Sequence, residues 1–220
     1  MSTGVRIIMF GRQGAGKGTQ SSRLAQHFGV PHISTGEMLR NAVKQDSVVG
    51  RAAKTVLERG ELVDDELMVS LVQGRIGQED ARVAGYVLDG FPRTIAQATA
   101  FDSITRARPV NFVIDLDVTR DVVVGRLSAR RICDSCGAIY TAAGGEPADW
   151  KCAKCGGQVT QRHDDRPAAI NHRLDVYETL TAPLISYYRG RGSLHVIDGL
   201  GSPDEVFERL KTVVETGLRR

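Results

Sequence analysis

The sequence predicts an α/β fold in three layers, a central parallel sheet flanked by helices. Three observations predict it. Short apolar runs alternate with longer segments of 3.6-residue period along most of the 220 residues. A glycine-rich turn joins the first apolar run directly to the first helical segment. One cysteine-bearing stretch breaks this rhythm, which marks it as an insertion rather than part of the sheet.

The elements follow in chain order. Val5-Arg6-Ile7-Ile8-Met9-Phe10 reads as a buried strand, and a helix is expected from about Gly16 to His27. Ser34-Thr35-Gly36-Glu37 reads as a short turn feeding a helix, with room for a strand just before it. Tyr86 to Asp89 reads as a second strand, Val110 to Asp115 as a third and Leu194 to Ile197 as a fourth. A last helix is expected from about Asp204 to Leu218. Strands separated by helices imply parallel pairing. A further helical pattern begins at Pro167, a residue suited to a first turn, and Asp164 or Asp165 is expected to cap it. Ile170, Leu174, Tyr177, Leu184 and Tyr188 would share one face of that helix.

Bulk composition narrows the function classes. Hydrophobic residues make up 41% and charged residues 25%, ordinary for a globular protein of a size that buries a core. A net charge of +3 is too mild for a nucleic-acid coat protein, although clustered arginines can still bind phosphate. The stretch from Met1 to Phe10 stops at a glycine-rich loop, so it reads as neither a signal peptide nor a membrane span. No apolar stretch approaches the roughly 18 residues of a membrane span, and no repeat is visible. The expected compartment is the cytoplasm, where four cysteines serve a metal more readily than disulfides.

Gly11-Arg12-Gln13-Gly14-Ala15-Gly16-Lys17 lies between the first strand and the first helix, the setting of a phosphate-binding loop. Glycines let several backbone N–H groups turn into one hollow, and the helix N-terminus adds partial positive charge. Lys17 can reach the β- and γ-phosphates of a bound nucleotide. Gly18 replaces the usual Ser or Thr, with Thr19 one place later. A Mg²⁺ ion would therefore be held mainly through water and phosphate oxygens.

Cys133-Asp134-Ser135-Cys136 and Cys152-Ala153-Lys154-Cys155 form two C-x₂-C hooks with 15 residues between them, within the range of a structural Cys₄ zinc site. The segment from Ile132 to Gln161 has five glycines and little aliphatic periodicity, so it needs such a staple to fold. A closed Cys₄ sphere leaves no open position for a substrate and has no catalytic role.

Two further segments resolve the class. Ser34-Thr35-Gly36-Glu37-Met38-Leu39-Arg40 puts a hydroxyl and a guanidinium on one short element, and Leu88-Asp89-Gly90-Phe91-Pro92-Arg93-Thr94 ends a strand with a carboxylate, a turn and a second arginine. Gln97 follows. Together with the phosphate loop, these closely resemble the adenylate kinase family, whose pattern runs through essentially the whole chain. Glu37 stands where that family more often has Asp.

The resemblance implies a P-loop fold carrying an AMP-binding helical arm and a small zinc-containing lid. Its expected divisions are core over 1–33, arm over 34–63, core over 64–129, lid over 130–163 and core over 164–220. The implied activity is reversible, Mg²⁺-dependent transfer of the ATP γ-phosphoryl group to AMP, giving two ADP. By the same resemblance, Gly14, Ala15, Gly16, Lys17, Gly18, Thr19, Arg126, Arg130, Ile139, Tyr140 and Gly201 take the ATP side. Thr35, Arg40, Glu61, Leu62, Val63, Gly90, Phe91, Pro92, Arg93, Gln97, Arg162 and Arg173 take the AMP side. Lys17, Asp89, Arg93, Arg130, Arg162 and Arg173 form the catalytic set, with Asp89 on the Mg²⁺ hydration shell and Zn²⁺ purely structural. The implied partners are ATP, AMP and ADP, without nucleic acid or membrane, for a chain expected to be a monomer.

The chemistry agrees. Planar guanidinium groups suit bidentate phosphate contacts. Arg126 and Arg130 lie four apart on a predicted helix, where like charges repel unless an anion lies between them. A regulatory GTPase would need an Asn-Lys-x-Asp motif, and Asn171-His172-Arg173 is the nearest approach. A nucleic-acid-binding ribbon would interleave aromatics with basic residues, whereas the insertion holds only Tyr140, Trp150, Lys151 and Lys154. The long lid sets the chain apart from the related short-lid uridylate and cytidylate kinases, and the Gln97 amide favours adenine. His27, His32, His163, His172 and His195 are scattered and read as structural or solvent-facing.

Overall fold

The computed structural model describes residues 4–144 and 146–219. Met1 to Thr3, Gly145, Arg220 and the side chain of His163 lie outside that description. The strands are β1 (Val5–Phe10), β2 (His32–Ser34), β3 (Gly85–Asp89), β4 (Phe112–Asp117), β5 (Arg130–Cys133), β6 (Ile139–Thr141), β7 (Val159–Thr160) and β8 (Leu194–Asp198). The α-helices are α1 (Lys17–Phe28), α2 (Thr35–Lys44), α3 (Val48–Arg59), α4 (Asp65–Ile76), α5 (Glu79–Ala84) and α6 (Ile95–Ile104). They continue with α7 (Arg120–Ala129), α8 (Pro167–Val176), α9 (Pro183–Arg189) and α10 (Pro203–Leu218). No described helix is long and apolar enough to cross a membrane.

Five strands form one parallel sheet in the order β2-β3-β1-β4-β8. Central β1 is covered on both faces, which explains its nearly unbroken apolar run. Ile7 and Met9 join a core with Leu24, Ile114, Leu127 and Leu210, while Ile8 and Phe10 join another with Ile33, Leu88, Phe101 and Leu184. The chain order reverses on either side of β1, so ligands are expected outside the carboxyl ends of β1 and β3.

The predicted strands are all present, one of them displaced. The third runs from Phe112 to Asp117 rather than Val110 to Asp115. Asn111 makes a reciprocal pair with Arg6 just before the strand begins, and pairing with β8 continues as far as Asp117–Asp198. Hydrophobic periodicity cannot see ladder bonds made by polar residues.

Local signals set most helix starts. The Ser34, Ser47, Asp64 and Thr94 side chains each accept a bond from a backbone N–H in the first turn of α2, α3, α4 and α6. Each such cap stabilises by about 1 kcal/mol. Ser202 and Glu205 form a reciprocal capping box on α10. Pro167 does occupy the first turn of α8, but neither Asp164 nor Asp165 caps it. Both carboxylates are drawn instead to arginines.

The insertion builds a sheet of its own, ordered β6-β5-β7 and antiparallel. Cys133, Cys152 and Val159 are buried there, with Tyr140 and Trp150 packed on them. Arg130 starts this sheet rather than ending α7, so it does not stack above Arg126 as their spacing predicted. The Lys44 Nζ, at the end of α2, donates to the Asp134 carbonyl at 2.6 Å, joining the α2–α3 hairpin to the insertion.

Candidate active site

The phosphate loop fills the turn between β1 and α1. Gly14 has φ +84°, and a Cβ there would lie 2.8 Å from Leu127 Cγ and 3.0 Å from the Val123 carbonyl. The loop is thus seated directly on α7. Lys17 Nζ donates to the Gly11 and Arg12 carbonyls at 2.7 and 2.9 Å. Burial pulls its pKa down to about 8, against the favourable pull of Asp89 and with Arg93, Arg173 and Arg130 adding repulsion.

Two cavities open at the carboxyl ends of the strands. The larger, about 440 Å³, is lined by Gly14 to Thr19, Asp89, Arg126, Arg130, Ile139, Tyr140 and Gly201, among others. The smaller, about 50 Å³, is lined by Thr35, Arg40, Glu61, Leu62, Val63, Gly90, Arg93 and Gln97, with Leu39, Leu57 and Met68 supplying an apolar wall. Arg40, Arg93, Arg162 and Arg173 line both. Phe91 and Pro92 line neither, because both are buried, Phe91 edge-on against Phe101.

Two adjacent carboxylates organise the arginines. Asp165, fully buried, receives Arg130 through Nε at 2.7 Å and Nη2 at 2.5 Å, and Arg173 Nη1 lies 3.4 Å away. Asp164 takes a two-point bond from Arg162 at 2.8 and 2.5 Å and an ion pair from Arg173 at 3.1 Å. Burial would raise the Asp164 pKa, but Arg173 and Arg162 outweigh it and hold the carboxyl below its usual range. Arg40 and Arg93 have no carboxylate within ion-pair distance among the described residues, and burial lowers both, Arg40 to about 10. Arg173 is likewise lowered to about 10, chiefly by burial. Desolvated cations in excess of their carboxylates make a site that an anion would relieve. Asp164 and Asp165 as organisers were missed from sequence. The one available signal was two acids set between Arg162 and Arg173.

Gln97 is 2% exposed and largely engaged: Nε2 donates to Asp65 at 2.7 Å and Oε1 accepts from the Arg93 N–H at 2.7 Å. One N–H and one lone pair remain for a base. Arg126 donates to the Ala15 and Gly199 carbonyls, tying the phosphate loop to the turn after β8. His32 is not solvent-facing, since its buried Nε2 lies 4.0 Å from Asp89 Oδ2.

The four thiols converge. Cys133 and Cys155 Sγ lie 3.5 Å apart, Cys136 and Cys152 Sγ 3.6 Å, and all four fall within 4.8 Å of one another. Tetrahedral zinc at a Zn–S distance of about 2.3 Å requires sulfurs about 3.8 Å apart, so the donor set fits that ion. The Tyr140 hydroxyl accepts the Ala153 N–H and lies 3.0 Å from Cys152 Sγ, and its hydrogen bond to that sulfur lowers the Cys152 pKa to about 6.

A family model described as adenylate kinase matches residues 9–193. The chain belongs to the adenylate kinase family. It is 48% identical over 198 residues to the adenylate kinase of Moorella thermoacetica, covering 89% of this chain and 91% of that protein. It is 42% identical over 214 residues to that of Thermodesulfovibrio yellowstonii, covering 96% and 99%. Against the adenylate kinase of Methanosarcina acetivorans the identity is 43% over 213 residues, covering 96% and 98%. The family activity, phosphoryl transfer to a nucleoside monophosphate, agrees with a phosphate loop that shares its cavity with Arg40 and Arg93, which have no ion-pair partner among the described residues.

Proposed function

We propose that this chain transfers the γ-phosphoryl group of ATP to AMP at the junction of the two cavities. One observation carries the reading: Arg40, Arg93, Arg162 and Arg173 line both spaces, while the phosphate loop lines only the larger. A donor triphosphate seated on the loop and an acceptor phosphate held by Arg40 and Arg93 would meet among those arginines. In-line transfer spreads charge over the equatorial oxygens, and catalysis is mostly positioning plus electrostatic stabilisation. Lys17 would leave its two loop carbonyls for the β- and γ-phosphates. The AMP phosphate oxygen is already a nucleophile, so no side chain need remove a proton.

Mg²⁺ suits the space before Asp89. The start of α1 lies beside that carboxylate, since a Cβ on Gly18 would stand in ordinary contact, 3.6 Å from Asp89 Oδ2. Asp89 and Thr19 would hold the ion's water shell, and the ion would neutralise developing phosphate charge. Zn²⁺ on Cys133, Cys136, Cys152 and Cys155 would stiffen residues 130–163 into a lid moving as one body, with residues 34–63 as the acceptor arm. Lid closure in this very family is a standing example of such motion. It would exclude water from the phosphoryl group. The chain would act as a cytoplasmic monomer.

The test is ADP formation from ATP with AMP, GMP, CMP or UMP in turn, repeated with GTP as donor. Fast turnover with ATP and AMP alone is expected. Hydrolysis without transfer to any monophosphate would overturn the assignment.

A further inference from the structure

The helix that carries Arg173 does not continue as one α-helix. Between α8 and α9, Tyr177–Thr181 forms a π turn, with the Ala182 N–H donating to the Tyr177 carbonyl five residues back at 2.8 Å. The sequence supplies a cause. Pro183 has no N–H to give to the preceding turn, and a wider turn accommodates that loss.

This short turn touches both halves of the site. Glu178 Oε1 accepts from Arg12 Nε at 2.8 Å. Arg12 belongs to the phosphate loop, and its carbonyl is one of the two that hold Lys17. The same guanidinium donates to the Val118 carbonyl at 3.1 Å and lies 3.6 Å from Asp117. Three residues further on, the buried Thr181 hydroxyl donates to the Arg93 carbonyl at 3.0 Å. Arg93 also gives its N–H to Gln97 and its Nε to the Gly90 carbonyl. One five-residue turn therefore bonds to the Arg12 side chain of the phosphate loop on one side of the gap to be crossed and to the Arg93 backbone on the other.

We propose that the π turn is a positioning element, in which Glu178 sets the phosphate loop and Thr181 sets the Arg93 loop at the separation that in-line transfer needs. Neither residue lines either cavity. The inference rests on the phosphotransferase reading, because it requires two phosphate sites to be held in register. A misplacement near 1 Å at a reacting centre can cost about 100-fold in rate.

Glu178→Ala, Thr181→Val and Thr181→Ser test this, with wild-type transfer from ATP to AMP measured alongside. Expected is a kcat loss of about 10-fold or more in the first two variants. KM for both nucleotides should hold within about two-fold, the pattern of a contact that matters only in the transition state. Thr181→Ser, which keeps the hydroxyl, should recover most of the rate. Unchanged kcat in a folded Glu178→Ala variant would overturn the proposal while leaving the phosphotransferase reading intact. So would a loss matched by a lower melting temperature and recovered on cooling. If Thr181→Val does not fold, the half-exposed Glu178 still decides the matter. Wild-type protein without transfer would instead sink the function on which the proposal stands.

Discussion

Lys17 shows how a single charge is prepared for a ligand. Its pKa of about 8 lies below the ordinary 10.5 because burial disfavours the ammonium form. Between those values the unfolded chain holds a proton that the folded one lacks, so folding stability rises with pH across that window; below about 8 the folded state bears the cost of the buried charge. Phosphates should raise this pKa again. Near pH 9, ATP binding should take up close to one proton, read by calorimetry in buffers of different ionisation enthalpy. Uptake near zero would mean that Lys17 stays charged without nucleotide. Asp165 is the counterpart among the acids. Asp165→Asn would leave Arg130 and Arg173 without their common carboxylate, a loss of about 3 kcal/mol by analogy with broken buried pairs. Urea unfolding measures it, and a change below about 0.5 kcal/mol would show that the arginines repartner freely.

At the scale of elements, the insertion and the π turn illustrate opposite ways of ordering a segment. Among the described residues, the three short strands of the insertion bury Cys133, Cys152 and Val159, with Ala138, Tyr140 and Trp150 partly buried against them. So small a core cannot stabilise a sheet alone. Chelation of the metal should therefore unfold the insertion first, seen as a change in Trp150 emission below the main melting transition. Transfer should fall with it, whereas AMP binding through Arg40 and Arg93 should survive. If Trp150 emission and the melting curve are untouched by a chelator that strips the metal, the staple is dispensable. The π turn needs no metal. Its order comes from the buried Tyr177 and Thr181 and from the continuous helices on either side.

For the whole molecule, the contact between the hairpin and the insertion matters most. Lys44 reaches the Asp134 carbonyl within the first cysteine hook, so the hairpin and the insertion are joined by an exposed hydrogen bond. Such a bond is worth about 1 kcal/mol, and its loss should shift a closed population towards open by roughly five-fold. Lys44→Ala carrying fluorophores on α3 and on the insertion should show lower transfer efficiency without nucleotide. An unchanged distance distribution would assign closure to other contacts.

Much of this protein was legible in its sequence. The phosphate loop, the cysteine hooks and the β1 run are short patterns whose chemistry depends on near neighbours, so reading them needs no tertiary information. The parallel sheet followed from alternating periods, because each period reports which faces are covered. Family resemblance then placed the arginines on one side or the other. Tertiary structure alone decided what those arginines touch. Arg130 meets Asp165 across 35 residues, and Arg12, which no side claimed, meets Glu178 across 166. It also turned Asp164 and Asp165, either of which was expected to cap α8, into organisers of the site. The physical reason is the range of the forces involved. Dihedral preference and side-chain periodicity act over a few residues and are written locally. The partner of a buried charge is whichever opposite charge the folded chain brings within about 4 Å, and only the packed sheet and helices determine that.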